Sequence, residues 1–253
     1  MGGQTSFCHI DRNDCPNLFS AVPSNSALAN MRNSEGTLIG RPGNDTQLWN
    51  PVLNITETQN KYRKDRFLGS YYIELKLPFN FKFRSNFGLD VGPNNTQAFY
   101  GSMSSDRQGG LPRATNGGGT STMFTWENLL YWNKTIKDNT FGLTLLQSVQ
   151  QEKSENYNIS VQDLAYATQL WYNVGSAPII SGVSSGFTKW QIASFMGRIN
   201  YSYKDRYLLT GSARYDGSSR LASGQMWVLF PSAALACRVT EDYFMNNIQV
   251  LNS

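Results

Sequence analysis

From Phe67 onward the chain alternates apolar and polar side chains with a period of two, and few folds accept that pattern. Such a period puts successive side chains on opposite faces of an extended strand. The first run, 67–77, sets Tyr71, Ile73, Leu75 and Leu77 against Ser70, Tyr72, Glu74 and Lys76. The second, 81–91, sets Phe81, Phe83, Phe87, Leu89 and Val91 against Lys82, Arg84, Asn86 and Asp90. In the third, 122–133, Phe124, Trp126, Leu130 and Trp132 oppose Thr125, Glu127, Tyr131 and Asn133. The fourth, 140–151, carries Leu143, Leu145 and Val149 on its apolar side, with Leu146 breaking the alternation. The fifth and sixth are the cleanest: Phe195, Gly197, Ile199, Tyr201 and Tyr203 in one, and Tyr207, Leu209, Gly211, Ala213 and Tyr215 in the other. The seventh, 227–239, places Trp227, Leu229, Ala233, Leu235, Cys237 and Val239 together.

Three properties narrow the class. The runs are about ten residues or longer, which suits a tilted membrane-crossing strand better than the soluble mode of about 5–6. Short turns alternate with long Gly-, Asn- and Ser-rich stretches, 92–121 and 152–188, the loop order of an outer-membrane barrel. Aromatics cluster at run ends, where an amphipathic ring suits a bilayer interface: Tyr71, Trp132, Tyr203, Tyr207, Tyr215 and Trp227. The expected fold is all-β, an antiparallel up-and-down transmembrane barrel segment of about seven strands, incomplete with respect to a closed barrel. Residues 1–66, punctuated by Pro16, Pro23, Pro42 and Pro51, read as a long extracellular loop or irregular lead-in, and 67–253 as the partial barrel. A secreted carbohydrate-binding β-sandwich is the competing architecture, since its strands alternate too.

Composition excludes other classes. No apolar run reaches the length of a membrane helix. The net charge of +4 comes from scattered Lys and Arg, which gives no nucleic-acid footprint. Cys8, Cys15 and Cys237 make no disulfide framework, although a Cys8–Cys15 bridge is conceivable outside the cell. His9 is the single histidine, so no closed zinc site is expected. The first residues have neither the basic nor the apolar region of a signal peptide. Gly182-Val183-Ser184-Ser185-Gly186 matches G-x-S-x-G but lies in a polar stretch with no helix pattern after it, and Gly117-Gly118-Gly119-Thr120 lacks the ending of a phosphate loop. Both read as loop composition. The acceptor triplets at Asn44, Asn54, Asn94, Asn133, Asn158 and Asn200 reflect an Asn-rich chain. With no acid–base or nucleophile constellation, no enzyme, cofactor or metal is expected.

Local sequence adds a resemblance. Residues 59–110 look like a barrel segment of the SusC/RagA-type TonB-linked outer-membrane transporters, and 195–238 resemble it more strongly. The carrying pieces are Phe195-Met196-Gly197-Arg198-Ile199-Asn200-Tyr201, Arg214-Tyr215-Asp216-Gly217-Ser218-Ser219-Arg220, and Phe230-Pro231-Ser232-Ala233-Ala234-Leu235-Ala236-Cys237-Arg238, with Thr125-Trp126-Glu127-Asn128-Leu129-Leu130 in support. Cys237 stands where the family usually has Trp, which removes one interface ring. The resemblance implies a stretch of a roughly 22-stranded barrel. It also implies an outer-membrane location in a Gram-negative, Bacteroidetes-like cell, and import of large nutrients, oligosaccharides or peptides. A SusD-like surface lipoprotein would be the partner, with TonB acting through plug segments that this sequence does not show. The expected lumen-facing side chains are Glu74, Lys76, Arg84, Glu127, Arg198, Arg214, Asp216 and Arg238, and the loop aromatics Tyr166, Trp171 and Tyr172 are candidates for stacking on a substrate. The bland readings are cross-strand ion pairs for the first group and loop packing for the second.

Overall fold

In a computed structural model the described residues are 1–14, 30–44 and 49–238. Eight antiparallel strands form one sheet in which each strand pairs with its neighbours in sequence. They are β1 (Gly2–Asp14), β2 (Thr58–Lys76), β3 (Phe81–Tyr100), β4 (Arg113–Ile136), β5 (Asn139–Gln162), β6 (Ile179–Tyr203), β7 (Tyr207–Ser218) and β8 (Trp227–Cys237). One short helix, α1 (Pro51–Glu57), precedes β2. Asn50 caps α1 by accepting from the Val52 N–H at 3.0 Å, and Pro51 fills the first turn, where no N–H is needed.

The sheet has one strand more than the sequence pattern suggests. β1 falls inside the stretch expected to be an irregular lead-in, and β2 begins nine residues before Phe67, at Thr58. Gly2, Gly3, Gln4, Thr5 and Ser6 offer no apolar alternation, so periodicity is silent there. β1 is held instead by a continuous backbone ladder to β2, from Gly2 opposite Tyr72 to Asp14 opposite Asn60. The two long loops are likewise shorter than expected. β3 runs on to Tyr100, β4 starts at Arg113, β5 reaches Gln162 and β6 starts at Ile179. β4, β5 and β6 therefore contain 24, 24 and 25 residues, about twice what a bilayer crossing requires. Their outer halves mix polar residues and glycine with scattered apolar side chains such as Val183 and Phe187, and stay extended because the ladder continues to satisfy their backbone.

Two motif readings change with this. Gly182–Gly186 lies within β6, so it forms no strand-to-helix elbow, as its composition already suggested. The glycine triplet lies within β4, not in a flexible loop. A Cβ on Gly119 would sit 2.5 Å from the Glu155 carbonyl oxygen, so close backbone approach accounts for the glycine. The seventh run ends at Cys237. Val239, Cys15 and any Cys8–Cys15 bridge lie outside the described residues, while Cys8 and Cys237 are exposed thiols.

The connections alternate in length as expected. The short ones are 77–80, 137–138 and 204–206, and the long ones are 101–112, 163–178 and 219–226. Phe79 and Asn80 both have positive φ, 61° and 65°, and the Phe81 N–H donates to the Pro78 carbonyl, the geometry of a type I′ hairpin. Among the described residues no second layer covers the sheet, so the sandwich alternative fails. The buried apolar cluster is small and sits at the long-loop end. There Leu164 and Trp171, from 163–178, pack on Phe99, Ala114 and Val161.

Candidate functional site: the two faces of a barrel wall

Register decides whether the seven alternations share faces, and they do. Leu75, Phe83, Leu130, Leu145, Gly197, Ala213 and Pro231 are successive partners across β2 to β8. A one-residue slip at any pairing would throw polar side chains into this row. The apolar face is not buried: Leu235 is 80% exposed, Ile199 60% and Leu229 57%. Monomeric soluble proteins rarely show a contiguous apolar surface of this extent. Aromatic rings bound it at both ends. Tyr203 and Tyr207 are partners at the short-turn end, next to a Phe141–Tyr201 pair at 5.2 Å. Tyr71, Trp126 and Trp227 stand at the long-loop end, with Trp227 stacked on Tyr215 at 4.8 Å.

The opposite face carries the charges. Glu74 lies opposite Arg84, and Lys82 reaches Glu74 at 3.3 Å. Lys76 faces Lys82 across the hairpin. The Arg84 guanidinium covers the Tyr72 ring at 4.3 Å and donates to Asn86 at 2.8 Å, and Asn86 in turn donates to Glu127 at 3.3 Å. On β7, Arg214 donates to Asp216 at 2.7 Å and to the buried Ser194 hydroxyl at 3.2 Å. Arg198 lies on this face between Thr144 and Ser212. Arg238 follows the last strand residue, its backbone N–H donating to the Arg206 carbonyl at 2.8 Å. The structure thus brings Arg84, Glu127 and Asn86 into one network and Arg214, Asp216 and Ser194 into another, while Arg198 stands apart from both. Each exposed pair is worth about 0–1 kcal/mol, so these networks shape the electrostatics of the face more than they stabilise it.

Periodicity extended further up the strands would have found two more groups. Arg66 grips Asp90 with two hydrogen bonds, at 3.0 and 2.6 Å, on the same face as Glu74 and Arg84. Trp190, two positions before Ile192 in β6, donates to Glu152 at 3.1 Å and lies under the Arg220 guanidinium at 4.6 Å.

The loop aromatics divide. Tyr166 and Tyr172 are 66% and 74% exposed, while Trp171 is buried in the cluster with Phe99 and Val161. Trp171 is thus an anchor that pins 163–178 to the strands. The Trp171→Ala variant should free that segment, and limited proteolysis within 163–178 should speed up about tenfold or more. An unchanged cleavage rate would show that the ring does not hold the loop.

The apolar face has one interruption. Asn128 donates to Gln147 at 2.7 Å, and Ser85 accepts from Trp126 Nε1 at 3.0 Å. Ser85, Asn128 and Gln147 are successive partners across β3, β4 and β5. The gap in the alternation of each of those three runs therefore falls in a single row.

Among the described residues no group of His, Cys, Asp or Glu is placed to hold a metal ion. No helix is long and apolar enough to cross a membrane, which bears only on helical spans.

No protein-family model matches the chain. Among curated proteins it is 32% identical over 208 residues to TonB-dependent receptor P26 of Formosa agariphila, covering 78% of this chain and 20% of that protein. It is 42% identical over 65 residues to TonB-dependent receptor SusC of Bacteroides thetaiotaomicron, 26% of this chain and 6% of that one. The chain thus spans about a fifth of the curated relatives that it matches over most of its own length. Among solved structures, the RagAB peptide transporter superposes with a TM-score of 0.69 at 13% identity, over 84% of this chain and 24% of that one. The same importer in its closed-closed state gives 0.70 at 12% identity, over 83% and 24%. Those identities speak to the fold alone, and the fold they support is an open stretch of barrel wall. The curated relatives are receptors and not enzymes, and TonB-dependent receptors are outer-membrane proteins. In sequence and architecture the chain is similar to TonB-dependent receptors of the SusC/RagA type, its eight strands corresponding to a stretch of barrel wall.

Proposed function

We propose that this chain forms wall of an outer-membrane importer of large nutrients, oligosaccharides or peptides, in a Gram-negative, Bacteroidetes-like cell. Its apolar face meets lipid and its charged face meets the lumen. The observation that carries this reading is the register, which collects the exposed apolar side chains of seven strands on one face and Glu74, Arg84, Glu127, Arg198, Arg214 and Asp216 on the other. The long connections then lie on the outside of the cell and the short ones in the periplasm. The strand extensions and loop 163–178 stand above the bilayer, where Tyr166 and Tyr172 are open to a substrate or to a SusD-like surface lipoprotein. Uptake is energised through TonB and plug segments. RagAB, similar in fold, is a peptide transporter, which supports the importer reading and leaves the substrate of this chain open between peptide and glycan.

The test is site-directed spin labelling of the membrane-assembled protein in vesicles. Labels at Ile199 and Leu209 should collide with lipid-soluble oxygen and be shielded from a water-borne nickel chelate. Labels at Arg198 and Thr210, one residue away in each strand, should show the reverse. The opposite pattern would invert the wall and remove the importer reading. Loss of uptake on gene deletion, with a surface lipoprotein co-purifying, would extend the reading from wall to transporter.

A further inference from the structure

A groove of about 570 Å³ lies on the apolar face, within the size range of sites that take a small ligand or a chain. Its floor is open because Gly197 and Ala213 are small, and Phe83, Leu145, Phe195 and Leu229 form its walls. A side chain on Gly197 would meet only Leu145 Cδ2, at 3.7 Å, so the depression is real space and not a packing necessity.

Asn128 and Gln147 line this groove, which is otherwise almost wholly apolar. Burying polar groups against hydrocarbon is costly unless they are bonded, and these two bond to each other. That one bond uses a single donor and a single acceptor. Asn128 keeps its carbonyl oxygen and Gln147 keeps its NH2, and neither makes a further hydrogen bond among the described residues. The assignment survives turning both amides over, since one acceptor and one donor still remain. The pair lies one row inside the aromatic ring at the long-loop end: Asn128 is two residues from Trp126, and Gln147 is two from Val149, the partner of Trp126. This is the depth at which the polar functions near the head of an outer-leaflet acyl chain would lie.

We propose that the groove binds the acyl chain of a membrane lipid bearing a hydroxyl group near its head. The chain lies along Gly197 and Ala213, and its hydroxyl accepts from the Gln147 amide while donating to the Asn128 carbonyl. A hydroxyl matches the pair because it offers both roles, whereas an ester carbonyl only accepts and an unsubstituted chain leaves both groups unpaired. The inference rests on the apolar face meeting lipid, and its test is separable from that reading.

The membrane-assembled protein containing this chain is extracted in mild detergent, stripped of native lipid and given two glycerophospholipids. The two share head group and chain length, and one carries 3-hydroxyacyl chains. Native mass spectrometry then reads the ratio retained. The hydroxylated lipid should be favoured about fivefold or more, the effect of one to two net hydrogen bonds. Asn128→Leu combined with Gln147→Leu should bring the ratio to about one without lowering total retention, since the groove is then uniformly apolar. Gly197→Leu should lower retention of the hydroxylated lipid by filling the floor. Equal retention of the two lipids by the unmodified protein would overturn the proposal, and so would a preference that survives Gly197→Leu. Either failure leaves the wall assignment to the spin-label result, which does not depend on lipid type.

Discussion

Leu145→Arg should destabilise the assembled wall by about 2–4 kcal/mol, and Leu146→Arg, one residue on, by less than about 1 kcal/mol. The two leucines are identical in chemistry and adjacent in β5, yet their side chains point to opposite faces. Leu145 sits in the row of Phe83, Leu130 and Gly197, midway between Phe141, beside Tyr201 at the short-turn end, and Val149, beside Trp126 at the other. An Arg there stands in hydrocarbon with no partner on its face to neutralise it. Leu146 lies opposite Leu129 and Met196 on the charged face, where an Arg joins Arg84 and Arg214 in a hydrated wall. The contrast is read by denaturant unfolding of the membrane-assembled protein in vesicles. Equal costs at the two positions would mean that both faces see the same solvent, and the lipid-facing assignment would fall.

The legible part of this fold is the part where one face is apolar and the other polar. Ile199, Tyr201, Leu209 and Ala213 announce their strands because one face is apolar at every second position, and the ladder confirms each of them. In the outer halves of the long strands that alternation fades. Asn156, Tyr157 and Asn158 of β5 and Gly117 to Gly119 of β4 are paired strand residues, yet they carry no apolar alternation, so the composition resembles a loop. β1 shows the limit, being held by backbone pairing that leaves no mark in side-chain type.

The site was legible to a similar degree. Period two was enough to put Glu74, Arg84, Glu127, Arg214 and Asp216 on one face, but it could not tell which would meet. Arg84 chose Asn86 and the Tyr72 ring, and Arg214 chose Asp216 two residues away on its own strand. Trp171 was legible as an aromatic in a loop. Its burial depends on Phe99 and Val161, which come from strand ends that read as loop. The row of Ser85, Asn128 and Gln147 is the clearest case. Each is a minor lapse in its own alternation, and only the register of three strands lines the lapses up.

The 253-residue chain produced alone should fail to assemble as a membrane-inserted monomer. Among the described residues β1 and β8 each have one neighbour, so the sheet ends in two free edges. In an antiparallel strand about half of the backbone N–H and C=O groups point to each side, which for the 11 residues of β8 leaves about ten groups unpaired on its outer edge. Water satisfies such groups, whereas hydrocarbon does not, and each costs several kcal/mol there. The sum runs to tens of kcal/mol, well beyond the 5–15 kcal/mol by which a typical domain is stable. The apolar face cannot retreat into water either, because Leu229 and Leu235 are already bare. Pairing edge to edge with another copy relieves both problems at once, so the expected product is a large assembly rich in β-structure. Size-exclusion chromatography in detergent, and heat-modifiable mobility on gels, read the outcome. A folded, dispersed monomer at micromolar concentration would mean that the edges are closed by some other pairing, and the open-wall architecture would have to be abandoned.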